Sequence, residues 1–103
     1  MKVELYSFPE CPSRDPALEN LKRSLRAEGL PEDIDQVSVD VEATVAMRFL
    51  GSPTIRIDGV DVEGPEADKR GYSYNCRTYE DGGETKGWPS VDKIRQALQR
   101  ARS

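Results

Sequence analysis

Histidine is absent from this 103-residue chain, and cysteine occurs only twice, as Cys11 and Cys76. Without histidine, the chain has neither a Ser-His or Cys-His catalytic pair nor a histidine-ligated metal site. Two cysteines far apart in the chain argue against a secreted scaffold held together by several disulfides. Phosphate-binding glycine loops of the GxxxxGK(S/T) or GxGxxG type are also absent. Any chemistry therefore falls on thiols, carboxylates, arginines and tyrosines.

Long hydrophobic runs are missing as well. No run approaches the ~18 apolar residues of a membrane span, and no signal-peptide pattern precedes the first apolar residues, so we expect a cytoplasmic protein. Charged residues make up 33% of the chain and the net charge is −4. With the two signs interspersed, this balance argues against binding to nucleic acid or to a membrane. We expect a single domain, residues 1–103, with a monomer as the default state.

Apolar periodicity predicts an α/β fold. In chain order, the predicted elements are a strand at 2–8, a helix at 16–28, a strand at 34–41, a short helix at 42–50, a strand hairpin at 54–63 and a helix at 89–101. Asp58-Gly59 indicates the hairpin turn because glycine accepts a positive φ, and Ser90 is the expected N-cap of the last helix. A helix joins the first two strands, so these should be parallel, and the hairpin makes the four-stranded sheet mixed. The three helices are expected to cover its faces.

The polar segment 64–88 is insertion-like and carries Cys76. A segment of this length without a helix signal predicts a long loop or an extra strand before the last helix, and long loops in compact domains are often functional. Cys76 is either a small buried filler in a strand with aromatic packing or a thiol that folds over the turn at Cys11. Arg77 is expected at the surface, in an exposed ion pair.

Cys11 lies between the first predicted strand and the first predicted helix. A helix N-terminus supplies unpaired N–H groups and the positive end of the helix dipole, and both stabilise a thiolate. The helix could begin with Pro12 in its first position, or later with Asp15-Pro16 as its cap and first residue. Arg14 adds positive charge in either case. From position alone, a reactive thiol and an idle cysteine at a turn are equally open.

Two local patterns, taken with the order of elements, resemble the thioredoxin-like superfamily. The sequence CPSR at 11–14 is similar to the Cys-Pro-x-Cys motif of glutaredoxins, with Arg14 in place of the second cysteine. The sequence FLGSPTIRIDG at 49–59 resembles the segment that holds the cis-proline of that superfamily, which maps to Pro53. The resemblance covers most of the chain except 64–88. More narrowly, the chain is similar to small bacterial thioredoxin-like proteins, some of them labelled alkylmercury-lyase-like.

The resemblance implies a thioredoxin-like β-α-β-α-β-β-α fold with Cys11 as the active cysteine. It also implies a substrate groove formed by the residues that flank this cysteine and the proline, namely Pro12, Arg14, Ser52, Pro53 and Thr54. The Ser52-Pro53 bond can adopt the cis form, because X-Pro bonds do so far more readily than other peptide bonds. The alternative is a trans proline that opens an edge strand. Because Arg14 replaces the second cysteine, Cys11 has no CxxC partner, and Cys76 becomes the candidate resolving thiol.

The predicted function is thiol–disulfide exchange, or a redox response, with Cys11 as nucleophile and Cys76 or an external thiol as the resolving group. The partner would be a thiol or disulfide, either protein or small molecule, and no cofactor or metal is expected. One alternative is a thioredoxin-like binding module without enzymatic activity. A second alternative is soft-metal chemistry, in which Cys11 and Cys76 bind mercury and Asp15 protonates the carbon leaving group of an organomercurial. An iron–sulfur cluster is disfavoured because four cysteine ligands are usual.

Overall fold

The computed structural model describes every residue from Met1 to Ser103. Its strands are β1 (Val3–Ser7), β2 (Asp35–Ser38), β3 (Thr54–Ile57), β4 (Val60–Asp61), β5 (Tyr79–Asp81) and β6 (Glu84–Lys86). Its α-helices are α1 (Arg14–Ala27) and α2 (Val91–Arg102), and two 3₁₀ segments span Val41–Ala43 and Pro65–Arg70. None of the helices has the length and apolar character needed to cross a membrane.

A mixed four-stranded sheet organises the molecule, as predicted, and the structure shows its strand order to be β2-β1-β3-β4. β1 pairs in parallel with β2, which follows it through α1, and antiparallel with β3. All five residues of β1 are buried because the strand has a neighbour on each side. β3 and β4 form the predicted hairpin, and Asp58 and Gly59 at its turn have φ values of 51° and 82°. Two positive φ values are what a type I′ hairpin turn requires.

The two α-helices pack against each other and against one face of the sheet. The largest apolar side chains of this core are less than 2% exposed: Leu5, Leu21, Leu25, Ile55, Ile94 and Leu98. Burial of each such side chain contributes about 1.5–3 kcal/mol to the stability of the fold. A smaller apolar cluster around Tyr6, Val39 and Phe49 lies apart from this core. Val39 and Phe49 of this cluster come from the chain segment that follows β2. This irregular segment therefore packs where a third helix was expected.

The short helix predicted at 42–50 is wrong. The structure has a 3₁₀ turn at Val41–Ala43 followed by further turns. Thr44 and Val45 are β-branched and lose side-chain freedom in a helix, and the Thr44 hydroxyl instead donates to the backbone oxygen of Val41 (2.7 Å). Arg48 has a φ of 55°, which is incompatible with a continuing right-handed helix.

The helices predicted at 16–28 and 89–101 are confirmed, but α1 has neither of the two predicted starts. It begins at Arg14, with Ser13 in the N-cap position, and Pro16 lies inside the first turn, where its missing N–H removes no helical hydrogen bond. α2 begins as predicted, since the amide of Lys93 donates to the Ser90 hydroxyl oxygen (3.0 Å). The segment 64–88 holds the second 3₁₀ segment and a separate β5-β6 hairpin that does not join the main sheet.

Candidate functional site

Cys11 occupies a tight turn between β1 and α1. Its amide donates to the backbone oxygen of Phe8 (3.3 Å), and its backbone oxygen accepts a hydrogen bond from the amide of Arg14 (3.2 Å). Cys11 is a free thiol, and the residue is 9% exposed. The preceding residue, Glu10, has a φ of 63°, a conformation that L-amino acids rarely adopt. Such conformations cluster at functional sites, so the turn is a candidate site on backbone grounds alone.

The N-terminus of α1 lacks a side-chain cap. Ser13 makes no side-chain hydrogen bond to the first turn, in contrast to Ser90 at α2. Of the first-turn residues, Arg14 donates its amide to Cys11 O and Pro16 has no N–H, so the Asp15 amide and the helix dipole remain to stabilise a negative charge nearby. Arg14 adds a guanidinium that is shared with exposed Asp15, at an N···O distance of 3.2 Å. The helix dipole and Arg14 together make the electrostatic potential at the Cys11 turn more positive, and the Asp15 carboxylate partly offsets this effect.

Pro53 follows a cis peptide bond with Ser52, directly before β3. Both residues are buried. The amide of Phe8 donates to the Ser52 hydroxyl oxygen (3.2 Å), so Phe8 connects the Cys11 turn to the Ser52-Pro53 bend. Thr54 is fully buried, and its hydroxyl donates to the backbone oxygen of Gly51 (2.6 Å) across the bend.

Residues 73–77, which we call the strap, run alongside residues 49–52. Three backbone hydrogen bonds hold the strap: Ser73 N–H to Phe49 O (2.8 Å), Ser52 N–H to Asn75 O (2.8 Å) and Arg77 N–H to Ser52 O (3.0 Å). Ser52 and Cys76 thereby form a parallel β-bridge. Both backbone hydrogen-bonding groups of Ser52 are thus used within the chain.

Aromatic packing and a close approach at Gly51 also hold the strap in place. The Tyr74 ring packs against Phe8, with 5.2 Å between ring centroids, and against Phe49 at 6.0 Å. Gly51 has a φ of 111°, and a Cβ at this position would lie 3.0 Å from Asn75 O and from Arg77 Cβ. The close contact between the strap and the segment before Pro53 therefore depends on a glycine at position 51.

A hydrogen-bonded path leads from Cys11 to the two residues that flank Cys76. Cys11 bonds to Phe8, Phe8 bonds to Ser52, and Ser52 bonds to the residues on both sides of Cys76. Cys76 is exposed, whereas Cys11 is buried. The prediction that Cys76 is a small buried filler is therefore wrong. The structure brings the Cys11 turn, the Ser52-Pro53 bend and Cys76 into one contiguous cluster, with Pro12 and Arg14 on the same turn as Cys11.

Arg77 lies in the interior, so the prediction of a surface ion pair is wrong. It is 5% exposed, and its guanidinium donates to both carboxylate oxygens of Asp61 (2.7 Å each) and to Glu63 (2.9 Å). It also lies over the Tyr79 ring, 4.5 Å from the ring centroid, while its Nε has no partner. The prediction placed Arg77 at the surface, but the strap makes only an isolated bridge, and Arg77 turns towards the buried Asp61.

The cluster around Arg77 shifts three pKa values. Burial disfavours the charged form of Arg77, but hydrogen bonding to Asp61 and the surrounding negative charge raise its pKa above the ordinary value. Burial also opposes ionisation of Glu63, yet hydrogen bonds from Arg77, Lys93 and Arg70 outweigh it and lower the Glu63 pKa. Burial raises the pKa of Tyr79, so its phenol stays neutral and donates to the Pro53 backbone oxygen (2.6 Å).

A recess of about 150 Å³ adjoins the Cys11 turn. It lies where the parallel strands β1 and β2 end, and its lining includes Glu10, Arg14 and Ser38. The carboxyl ends of parallel strands are the usual ligand-binding edge of α/β sheets. No group of three or more cysteine, histidine, aspartate or glutamate side chains is arranged to hold a metal ion.

Comparison of the chain with family models, with curated proteins and with solved structures finds no match. The similarity to the thioredoxin-like superfamily therefore remains a prediction based on residues 11–14, on residues 49–59 and on the order of the elements.

Proposed function

We propose that this chain is a thioredoxin-like thiol protein that performs thiol–disulfide exchange, or responds to oxidation, through Cys11 and Cys76. The observation that carries the proposal is the hydrogen-bonded path from the Cys11 turn through Ser52 to the strap that bears Cys76. The parallel β1-α1-β2 unit, the antiparallel β3-β4 hairpin and the cis bond before Pro53 support a thioredoxin-like arrangement.

The reaction uses only groups on this path and a disulfide substrate. The Cys11 thiolate attacks one substrate sulfur, forms a mixed disulfide and releases the other substrate sulfur as a thiolate. The Cys76 thiolate then attacks the Cys11 sulfur, which forms the Cys11–Cys76 disulfide and releases the second substrate thiolate. The substrate gains two electrons, the protein dithiol loses two, and an external dithiol returns the protein to its reduced form.

The surroundings of Cys11 suit the first of these steps. The uncapped N-terminus of α1 and the guanidinium of Arg14 lie next to the turn that carries this sulfur. Cys76, on the exposed strap, is reachable by an external reductant. The buried cysteine thus acts as nucleophile and the exposed one as resolving thiol.

The test uses the reduced protein, one equivalent of bis(2-hydroxyethyl) disulfide and peptide mapping under nonreducing conditions. The wild-type chain is expected to give a Cys11–Cys76 link, and Cys76→Ser is expected to accumulate a mercaptoethanol adduct on Cys11. Cys11→Ser is the matched control, and it should give no intramolecular link. An adduct that accumulates on Cys11 in the wild-type chain, without a link, would remove the resolving role of Cys76. An unreactive Cys11 would overturn the proposed function.

The second candidate is a binding module without chemistry at the cysteines. It is favoured by the low exposure of Cys11, 9%, and by the pairing of both Ser52 backbone groups within the chain. An experiment in cells distinguishes the two proposed functions. Cys11→Ser would abolish a phenotype that depends on thiol chemistry, but it would leave a phenotype that depends on partner binding intact.

A further inference from the structure

We infer that the site accepts small-molecule disulfides and excludes disulfides in extended polypeptides, an inference that rests on the proposed function. An extended peptide docks at a sheet by pairing its backbone with free N–H and C=O groups of a strand edge. Beside Pro53, those groups belong to Ser52, and the strap already occupies both of them. The strap thus occupies the backbone hydrogen-bonding groups beside Pro53.

The strap is anchored too firmly for an incoming peptide to displace it easily. Arg77, its last residue, is buried and paired with Asp61 and Glu63. A peptide that replaced the strap would have to pull this guanidinium away from both carboxylates and leave Asp61 buried without its counter-charge. Tyr74 anchors the other end of the strap between the rings of Phe8 and Phe49.

The space near Cys11 also favours a small substrate. The recess lined by Glu10 and Arg14 measures about 150 Å³, about half the lower limit for pockets that enclose drug-sized ligands. Cys11 itself is 9% exposed. A disulfide with two short substituents needs little room beside such a sulfur, whereas a polypeptide would find the backbone beside Pro53 already paired with the strap.

A single probe compares the two substrate classes in one molecule. It is an unstructured ten-residue peptide whose central cysteine is disulfide-linked to 2-mercaptoethanol. If Cys11 attacks the mercaptoethanol sulfur, the peptide thiolate is released and a small adduct remains on Cys11. If Cys11 attacks the peptide sulfur, the 2-mercaptoethanol thiolate is released and a peptide adduct remains on Cys11. In the full-length Cys76→Ser chain the adduct persists, and intact mass gives the ratio of small to peptide adduct. The same chain unfolded in urea gives the intrinsic ratio.

Two glycine variants made in the Cys76→Ser chain test the role of the strap. Gly51→Ala introduces a Cβ at 3.0 Å from Asn75 O and Arg77 Cβ, where the strap must shift by a few tenths of an ångström, and it places alanine at a strained φ of 111°. Gly59→Ala also places alanine at a positive φ, 82°, but nothing lies within 4 Å of its Cβ, and Gly59 is in the β3-β4 turn away from the strap. If Gly51→Ala does not fold, Tyr74→Ala removes the aromatic anchor instead. Hydrogen exchange of the Arg77 amide reports directly whether the strap is released.

The folded parent is expected to favour the small adduct at least tenfold more than the unfolded chain does. Gly51→Ala or Tyr74→Ala should bring the ratio to within about threefold of the unfolded value, while Gly59→Ala keeps the parent ratio. Equal ratios in folded and unfolded chains, with adducts formed on Cys11, would overturn the inference and leave the proposed function standing. So would a parent-like ratio in a variant whose Arg77 amide exchanges freely. If the folded chain forms no adduct while the unfolded chain does, the proposed function fails as well.

Discussion

The guanidinium of Arg77 meets the carboxylate of Asp61 in a two-point ion pair, with both N···O distances at 2.7 Å and the two side chains 3% and 4% exposed. Arg77 follows Cys76 directly in the chain, whereas Asp61 ends β4 of the main sheet. The pair therefore ties the strap to the sheet at the residue next to Cys76. Parallel hydrogen bonds of this geometry are the strongest that arginine makes with a carboxylate.

Replacement of Arg77 by alanine should lower the free energy of unfolding by about 3–5 kcal/mol, because Asp61 would remain buried without its counter-charge. Arg23→Ala is the matched control. Arg23 pairs with Glu19 on the exposed face of α1, and such pairs contribute about 0.3–0.5 kcal/mol. Urea denaturation of both variants gives the comparison. A loss below about 1 kcal/mol for Arg77→Ala would contradict an anchoring role for the buried pair.

The lowered pKa of Glu63 predicts a stability that depends on pH in the acid range. A carboxyl group whose pKa is lower in the folded than in the unfolded chain stabilises the fold above its ordinary value of 4.5, and this contribution is lost as the pH falls through the folded-state pKa. The stability difference between wild type and Glu63→Gln should therefore shrink as the pH falls from 6 towards 3.

Denaturation curves measured across this pH range test the expectation. Glu66→Gln removes an exposed carboxylate that pairs only with Lys69 on the surface, and it provides the control. A wild-type minus Glu63→Gln difference that is independent of pH would show that Glu63 stabilises the fold by packing and not by its charge.

Ser90 and Ser13 occupy the same position at the starts of the two α-helices, but only Ser90 caps its helix. Ser90→Ala should cost about 1 kcal/mol of stability, because the Lys93 amide loses its partner. Ser13→Ala should cost much less, since no cap hydrogen bond is lost. Thermal or urea unfolding of the two variants measures the difference, and equal losses would mean that the Ser13 hydroxyl stabilises the fold in another way.

Local signals predicted the parts of the fold that depend on local physics. Asp58-Gly59 marked the hairpin because its turn needs positive φ, and Ser90 marked a helix start because its hydroxyl accepts an amide hydrogen bond. The spacing of residues 42–50 resembles a helix, but the Thr44 hydroxyl bonds to the backbone oxygen of Val41 and Arg48 turns the chain out of helical geometry. Periodicity alone does not register either effect.

The site depends on contacts that no local pattern encodes. Cys11 and Pro53 were singled out by the resemblance, but the pairing of Ser52 with the strap joins segments that the sequence keeps apart. The burial of Arg77 depends on its ion pairs with Asp61 and Glu63. These two acidic residues are two positions apart in the predicted hairpin, and this spacing predicts that they lie on the same face of a strand. Such a signal names no partner, and for that reason Arg77 was assigned to the surface.

Tyr79 supports the bend at Pro53, and its removal should affect stability in two ways. Tyr79→Phe deletes the buried hydrogen bond from the phenol to Pro53 O (2.6 Å), which should cost about 1–2 kcal/mol at pH 7. Burial raises the pKa of Tyr79 in the folded chain, so the wild type loses stability as the pH rises above the ordinary value of 10.0, where the unfolded chain ionises first. The advantage of wild type over Tyr79→Phe should therefore decrease between pH 9 and 11.

Tyr72→Phe, which alters an exposed tyrosine, is the control and should change stability by less than about 0.5 kcal/mol. Urea unfolding at each pH measures both effects, and an advantage that persists unchanged at pH 11 would contradict the ionisation argument.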